Sequence, residues 1–208
     1  MGTTEDISDR RVARPDLDAW VDALHAAERK RAERRSGRGA WEIAQWPVAM
    51  AVVCAFAALT YTRNGWIPFL SGADLAVHEF GHMVFVWAPT LWYQFAGSFM
   101  QVALPLGVCA YFWRWRRDRF AAVVTLAWAA ESLDNVSVYI YDATRMVLPL
   151  FNDDGSGAGH DWHNILSELG LLSWTDPLAY LVRAGSVVLF LVAFVLALCC
   201  LLRALRPV

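Results

Sequence analysis

The sequence predicts an all-helical integral membrane protein. We expect four spanning helices, a short re-entrant or half-span segment that carries a His-Glu-x-x-His pattern, and a cytoplasmic amphipathic helix at the N-terminus. Hydrophobic residues make up 57% of the 208 residues, which is too many for an ordinary soluble domain of this size. The apolar residues are gathered in five long segments, at residues 46–61, 75–87, 95–113, 120–141 and 178–202.

The charged residues divide the chain into two predicted domains. Residues 1–45 form a cytoplasmic domain with a charged arm and an amphipathic helix, and residues 46–208 form a polytopic membrane domain that holds the metal site. The formal net charge is -2, so there is no general basic excess of the kind that indicates nucleic acid. We therefore expect no nucleic acid as a binding partner. The apolar composition predicts contact with membrane lipid, and we also expect a membrane protein as partner or substrate.

The first domain contains one predicted helix. Residues 1–14 have no apolar periodicity and are predicted to be disordered. After them, Leu17, Trp20, Val21 and Leu24 recur at helical spacing and share one face, which predicts an amphipathic helix outside the bilayer. The sequence SGRG that follows is expected to break this helix before the membrane begins.

Basic clusters predict the orientation of the membrane segments. Lys and Arg favour the cytoplasmic side, and six of them lie within residues 29–38, before the first apolar segment. The cluster RWRRDR at residues 114–119 and the C-terminal Arg203 and Arg206 should lie on the same side. Five full crossings cannot satisfy these three constraints. Four crossings can, if segment 75–87, which is shorter than the ~20 residues of a spanning helix, enters and leaves on one side.

That short segment contains the most informative pattern in the chain. His78 and His82 are one helical turn apart and project from one face, with Glu79 beside them. In the pattern HExxH two imidazoles bind zinc, and the glutamate handles the proton of a metal-bound water. The alternative is a pair of polar residues that hydrogen-bond across a helix bundle. Because polar groups inside a membrane are costly, we favour a Zn2+ site with His78 and His82 as ligands and Glu79 as the catalytic base.

A zinc site needs a third protein ligand, and the sequence offers several. Asp154 and Gly155 belong to a Gly-rich turn that leads into a helix starting near Asp161, which is predicted to be its N-cap. His160 precedes this helix and His163 lies in its first turn. His160 is the first choice, while Asp161 and His163 remain open.

The fourth apolar segment carries a polar stripe that offers another third ligand. Its members share one helical face and are Glu131, Asp134, Asn135 and Asp142. Asp134 is the alternative metal ligand, or it orients a histidine from outside the ligand set. The competing interpretation is that the stripe pairs with Arg145, Arg183 or Gln101 and only holds the bundle together. Gln101, in the third segment, is also a candidate to hydrogen-bond a substrate or the helix that carries HEFGH.

The sequence HEFGH resembles the motif of site-2-protease-like intramembrane metallopeptidases. That resemblance implies that His78 and His82 bind zinc and that Glu79 is the general base. The family takes its third ligand from an aspartate in an Asp-Gly motif of a later span. Here Asp154-Gly155 lies in a loop and Asp134 is followed by Asn, so the third ligand stays open.

A closer likeness extends over residues 75–172. The succession HEFGHMVF, GSFMQVALPL, ESLDNVSVYIYDA and GHDWHNILSELGLL looks like a group of small, functionally uncharacterised bacterial membrane proteins that are often labelled zinc metallopeptidases. This likeness supports one constellation of His78, Glu79, His82, Asp134 and His160. It also implies a bacterial inner membrane, and the basic clusters place both termini in the cytoplasm.

These patterns predict an intramembrane zinc metallopeptidase that hydrolyses a membrane-associated polypeptide with zinc-activated water. Two alternatives remain. The same water and base would serve a zinc hydrolase that acts on a lipid or a small amphiphile. A non-catalytic metal-binding membrane scaffold or partner subunit would use the metal without turnover.

Overall fold

The computed structural model describes residues 17–63, 66–148 and 159–206, and within these ranges the regular structure is entirely helical. The helices are α1 (Leu17–Thr62), α2 (Leu70–Val84), α3 (Thr90–Tyr111), α4 (Arg119–Asp142), α5 (Asp161–Glu168) and α6 (Thr175–Ala204). A π-helical turn, Phe112–Arg116, extends α3, and a 3-10 turn, Leu172–Trp174, precedes α6. Each of the five predicted apolar segments lies wholly or mostly within one helix.

The chain divides into two compact units, Met1–Glu42 and Ile43–Val208. In the first unit the predicted helix is present, but the expected break at SGRG is wrong, because residues 36–39 are helical. A glycine inside a helix costs only about 1 kcal/mol relative to alanine, and strong helix formers surround SGRG. Trp20 and Leu24 are exposed. The prediction of disorder for residues 1–14 lies outside the described residues.

Three helices in the described part of the chain are long and apolar enough to cross a membrane: Gly39–Thr62, Thr90–Arg116 and Leu172–Ala204. The protein is therefore helical and has the character of a membrane protein. The prediction of four spans is met only in part. The helix α4, at 24 residues, is long enough to span, but it carries the buried acids Glu131, Asp134 and Asp142. The helix α2 has 15 residues and is too short to span.

The second unit has its main apolar core around the first half of α4. Ala127 and Ala130 of α4 are completely buried, as are Ala193 and Ala197 of α6. The core also includes Trp46, Ala49, Val53, Val123, Leu126, Phe190 and Cys200. Alanine at the facing positions lets two helix backbones approach closely, which favours helix association where lipid replaces water.

A second apolar cluster holds the short helix α5 against the end of α4. Trp162, Ile165 and Leu166 of α5 are buried with Ile140 of α4. The indole Nε1 of Trp162 also donates to Ser98 Oγ on α3, at 3.0 Å. The helix α5 is thus fixed to both α3 and α4, which determines where its first residue, Asp161, lies.

The helix α2 runs in the same direction as α4. Asp74, near the start of α2, accepts hydrogen bonds from Trp128 and Ser132 in the middle of α4. One turn later, the ring of His78 lies 5.7 Å from that of Tyr139, close to the end of α4. The helix α2 therefore begins level with the middle of α4 and follows it toward α5.

Replacement of Ala193 by leucine tests the close packing of α4 and α6. The larger side chain has no space at this fully buried position, so we expect Ala193→Leu to lower the free energy of unfolding by about 1–3 kcal/mol. Ala184→Leu is the matched control, because Ala184 lies on the same helix and is exposed. Denaturant unfolding in detergent measures both. Equal stability of the two variants would contradict the packing described here.

Candidate metal centre

Two histidine side chains from α2 meet one carboxylate from α5. The Asp161 Oδ2 atom lies 3.1 Å from His78 Nε2 and 3.3 Å from His82 Nε2. The ligand atoms of the three residues all lie within 4.8 Å of one another. Both histidines are buried, so the structure forms a His/Asp cluster that is able to hold a metal ion.

Each histidine is oriented by a hydrogen bond at its other ring nitrogen. His78 Nδ1 lies 3.2 Å from Gln101 Oε1, and His82 Nδ1 lies 2.8 Å from the carbonyl oxygen of Tyr93. Because both partners are acceptors, each Nδ1 atom carries a proton. A neutral imidazole would then offer the lone pair of its Nε2 atom to a metal ion, whereas a protonated Nε2 atom donates to Asp161 Oδ2. Gln101 Nε2 donates to Asn135 Oδ1 at 3.0 Å, which fixes the orientation of the Gln101 amide. Such outer hydrogen bonds select the tautomer of a metal-binding histidine.

Asp161 is held in place at both its backbone and its side chain. Its backbone N–H donates to the Tyr139 hydroxyl at 3.0 Å, and that hydroxyl donates to Asp161 Oδ2 at 3.3 Å. Burial alone would raise the pKa of the Asp161 carboxyl, but hydrogen bonds with His78 and His82 outweigh burial, so the pKa lies below its usual value. The carboxylate is therefore ionised at neutral pH, as a metal ligand must be.

Glycine residues give the two histidines their space. A Cβ atom at Gly97 on α3 would lie 2.6 Å from His82 Nε2 and still closer to His78 Nε2. On α2, a Cβ atom at Gly81 would collide with the backbone of Ala96. The absence of side chains at these two positions allows α2 and α3 to approach closely, and it places both imidazoles against the α3 backbone.

Two of the distances between the donor atoms are compatible with tetrahedral metal coordination, for which zinc gives the reference values. Two ligands about 2.0–2.1 Å from a tetrahedral zinc ion lie about 3.3–3.4 Å apart. The contacts of His78 and His82 with Asp161 are 3.1 and 3.3 Å. Two nitrogen donors and one carboxylate oxygen also match the ligand chemistry of catalytic zinc sites, which keep a fourth position open. The residues present thus form a donor set that is able to hold a metal ion.

Glu79 lines a pocket beside this cluster. The pocket has a volume of about 580 Å³ and contains polar groups of Glu79, His82 and Tyr93. Its remaining wall is formed by small or apolar residues, namely Gly72, Leu75, Ala76, Met83 and Val86. Glu79 and His82 therefore line one largely apolar space.

His160, the first-choice third ligand, has other contacts in the structure. Its Nδ1 atom caps α5 by accepting the backbone N–H of His163 at 3.3 Å, so the N-cap is His160 and the prediction of Asp161 was one residue off. Its Nε2 atom faces Asp142 Oδ2 at 3.4 Å, and its ring stacks on Tyr139. Burial lowers the pKa of His160, although Asp142 opposes that effect.

The other two candidates also have partners away from the cluster. Asp134 Oδ1 accepts a hydrogen bond from Arg183 Nε at 3.0 Å, which is the structural pairing that the sequence left open. His163 Nδ1 donates to the carbonyl oxygen of Ala143 at 2.7 Å. Of the four open third-ligand positions, Asp161 is the one whose carboxylate meets His78 and His82.

Sequence reasoning missed two residues that support the cluster. Tyr139 has the appearance of an ordinary aromatic residue in an apolar helix, and only the position of α5 shows that its hydroxyl bonds Asp161. The contribution of Tyr93 is a backbone carbonyl, for which no sequence pattern exists. By contrast, a hydrogen bond between Gln101 and the helix that carries HEFGH was one of the two roles expected for that residue, and it is present, with Gln101 Oε1 as the acceptor.

No protein-family model, curated protein or solved structure matches the chain. Functional inference therefore depends on the geometry and chemistry of the cluster itself.

Replacement of Gly97 by alanine tests the role of the close contact between α2 and α3. The new methyl group must displace the two Nε2 atoms, whose positions Gln101 and Tyr93 otherwise fix. We expect zinc affinity to fall by at least about 10-fold, as measured by calorimetric titration of the metal-free protein. Gly107→Ala is the matched control, because Gly107 also lies on α3 and its Cβ atom would meet open space. Zinc affinity that is unchanged in Gly97→Ala would contradict this geometry.

Proposed function

We propose that this protein is a membrane-embedded zinc hydrolase, and specifically a metallopeptidase that cleaves a membrane-associated polypeptide. The observation that carries the proposal is the convergence of His78, His82 and Asp161 beside a pocket that contains Glu79. A zinc ion held there would polarise a carbonyl group and make a water molecule a stronger nucleophile.

The chain supplies the remaining parts of a hydrolytic site. Glu79 follows the ligand His78 and faces the pocket together with His82, so its carboxylate is placed to accept a proton from water and to return it to a leaving group. The buried Gln101 amide and the Tyr93 carbonyl keep the imidazoles oriented throughout. The apolar wall of the pocket excludes water and binds an apolar segment next to the reacting bond.

The donor set supports the peptidase assignment. Site-2-protease-like enzymes combine two HExxH histidines with an aspartate from a later segment, and in this proposal Asp161 would take that role. The aspartate lies at the start of α5, a short helix between α4 and α6. It does not belong to an Asp-Gly motif, so the likeness concerns the ligand types and their order along the chain.

We further propose that α4 is a fourth crossing and that α2 is a half-span. At 24 residues α4 is about 36 Å long, and its acids are turned into the bundle. The 15 residues of α2 reach about 22 Å, and α2 starts level with the middle of α4. With both termini in the cytoplasm of a bacterial inner membrane, the metal centre then lies in the non-cytoplasmic half.

A second candidate function is hydrolysis of a lipid or another small amphiphile. The apolar side chains of Leu75, Met83 and Val86 on the pocket wall favour it, because they would bind an acyl chain as readily as an apolar peptide segment. The same metal ligands and the same base would serve the cleavage of an ester bond.

The variant Glu79→Gln tests the catalytic proposal. We expect it to bind zinc like the wild type and to lose about 10²–10⁴-fold in turnover, because the amide cannot accept the proton. The protein is reconstituted in lipid nanodiscs, and membrane-anchored peptides and phospholipids are offered separately, with mass spectrometry of the products. Glu168→Gln, at an exposed glutamate on α5, is the matched control and should leave turnover unchanged.

The outcomes separate the candidate functions. Peptide products that depend on Glu79 support the metallopeptidase, and lipid products that depend on Glu79 support the second candidate. Turnover that survives in Glu79→Gln would contradict the role of the base. A further outcome is that the wild type binds zinc and turns over neither substrate. That result would contradict both proposed enzymatic activities and favour a non-catalytic metal-binding scaffold or partner subunit.

A further inference from the structure

Two carboxyl groups meet inside the bundle, away from the metal centre. Asp74 of α2 and Glu131 of α4 are 1% and 0% exposed, respectively. Asp74 accepts a hydrogen bond from Ser132, the residue that follows Glu131, so the two carboxyl groups lie side by side. A hydrogen bond between them requires a proton on one of them. Neither group takes part in the proposed hydrolytic site, so their burial needs an explanation of its own.

The two carboxyl groups differ in the donors that surround them. Asp74 Oδ1 accepts hydrogen bonds from Trp128 Nε1 at 2.8 Å and from Ser132 Oγ at 3.0 Å. By contrast, within the described ranges neither oxygen of Glu131 has a hydrogen-bond donor, and Asp74 Oδ2 also lacks one. The environment therefore stabilises a negative charge on Asp74 but offers nothing to a negative charge on Glu131.

The neighbouring charged groups do not neutralise the pair. Asp134, on the same helix as Glu131, adds a third buried acid, and Arg183 of α6 is bonded to Asp134 at 3.0 Å. From α1, the Tyr61 hydroxyl is hydrogen-bonded to Ser186. Among the described side chains that face this region, Arg183 is the single cation, and Asp134 already balances its charge.

We propose that the Asp74–Glu131 pair is a proton-binding site, in which Glu131 carries the proton and donates it to Asp74 Oδ2. Two ionised carboxylates in contact inside a bundle would be prohibitively unstable without a cation. A proton on Glu131 removes one of the two charges and supplies the donor that Asp74 Oδ2 lacks. A proton on Asp74 would leave Glu131 charged, with only that one donor.

The proton also connects the pair to α2. Asp74 lies four residues before His78, on the same buried face of α2. The bound proton joins this helix to α4 through a third hydrogen bond at Asp74. Its loss would place two negative charges in contact and push the beginning of α2 away from α4. The pair makes these contacts whether or not the metal centre is catalytic.

Infrared spectroscopy tests the proposal on the full-length, metal-free protein in nanodiscs at neutral pH. A protonated carboxyl group gives a carbonyl stretch that ionised carboxylates lack. We expect this band in the wild type and its loss in Glu131→Gln, whose amide has a similar shape and still donates to Asp74. In Asp74→Asn the band should persist at a shifted frequency. Asp134→Asn is the matched control for a buried acid on α4 and should keep the band.

Isotope labelling gives a second readout that needs no variant. Glutamate labelled with ¹³C at the side-chain carboxyl should move the wild-type band to lower frequency, whereas labelled aspartate should leave it in place. A band that remains in Glu131→Gln, or that moves only with labelled aspartate, would overturn the assignment to Glu131. Absence of the band together with a stability that depends on added Na⁺ or Ca²⁺ would also overturn it, because a metal cation would then balance the pair.

Discussion

The central contact of the structure joins two imidazole nitrogens of α2 to one carboxylate oxygen of α5 in the buried interior. This contact constrains the arrangement of the surrounding helices. Polar groups at this depth are costly unless each has a partner. His78 and His82 receive theirs from α3 at one ring nitrogen and from Asp161 at the other. The cluster therefore fixes α2, α3 and α5 with respect to one another within the membrane unit.

Packing in the apolar parts of the unit makes this contact possible. Trp162 holds α5 between α3 and α4, so that Asp161 points toward α2. Gly81 and Gly97 bring α2 and α3 together at the height of the two histidines. The polar contacts are thus made by rigid helices, and a site of this kind can keep its ligands in place before the metal arrives.

The sequence predicted most of the helices and two of the three residues of the cluster, His78 and His82. Apolar segments predicted α2, α3, α4, α6 and the last part of α1, and the spacing of HEFGH predicted that His78 and His82 share a face. The sequence favoured His160 as the third ligand and could not single out Asp161, because His160, Asp161 and His163 lie within one turn and the loop before them carries no periodicity. The orientation of α5 decides between them, and it depends on long-range contacts such as that of Trp162 with Ser98. The helical state of SGRG was missed because glycine was given too much weight.

The identity of the third ligand tests the central claim most directly. Zinc content and affinity can be measured by elemental analysis and calorimetry for the wild type, Asp161→Ala and His160→Asn, in which asparagine keeps the cap of α5 but removes the imidazole. The account predicts one zinc ion with similar affinity in the wild type and in His160→Asn, and a loss of at least about 10-fold in affinity for Asp161→Ala. Retention of full affinity in Asp161→Ala, with loss in His160→Asn, would contradict it.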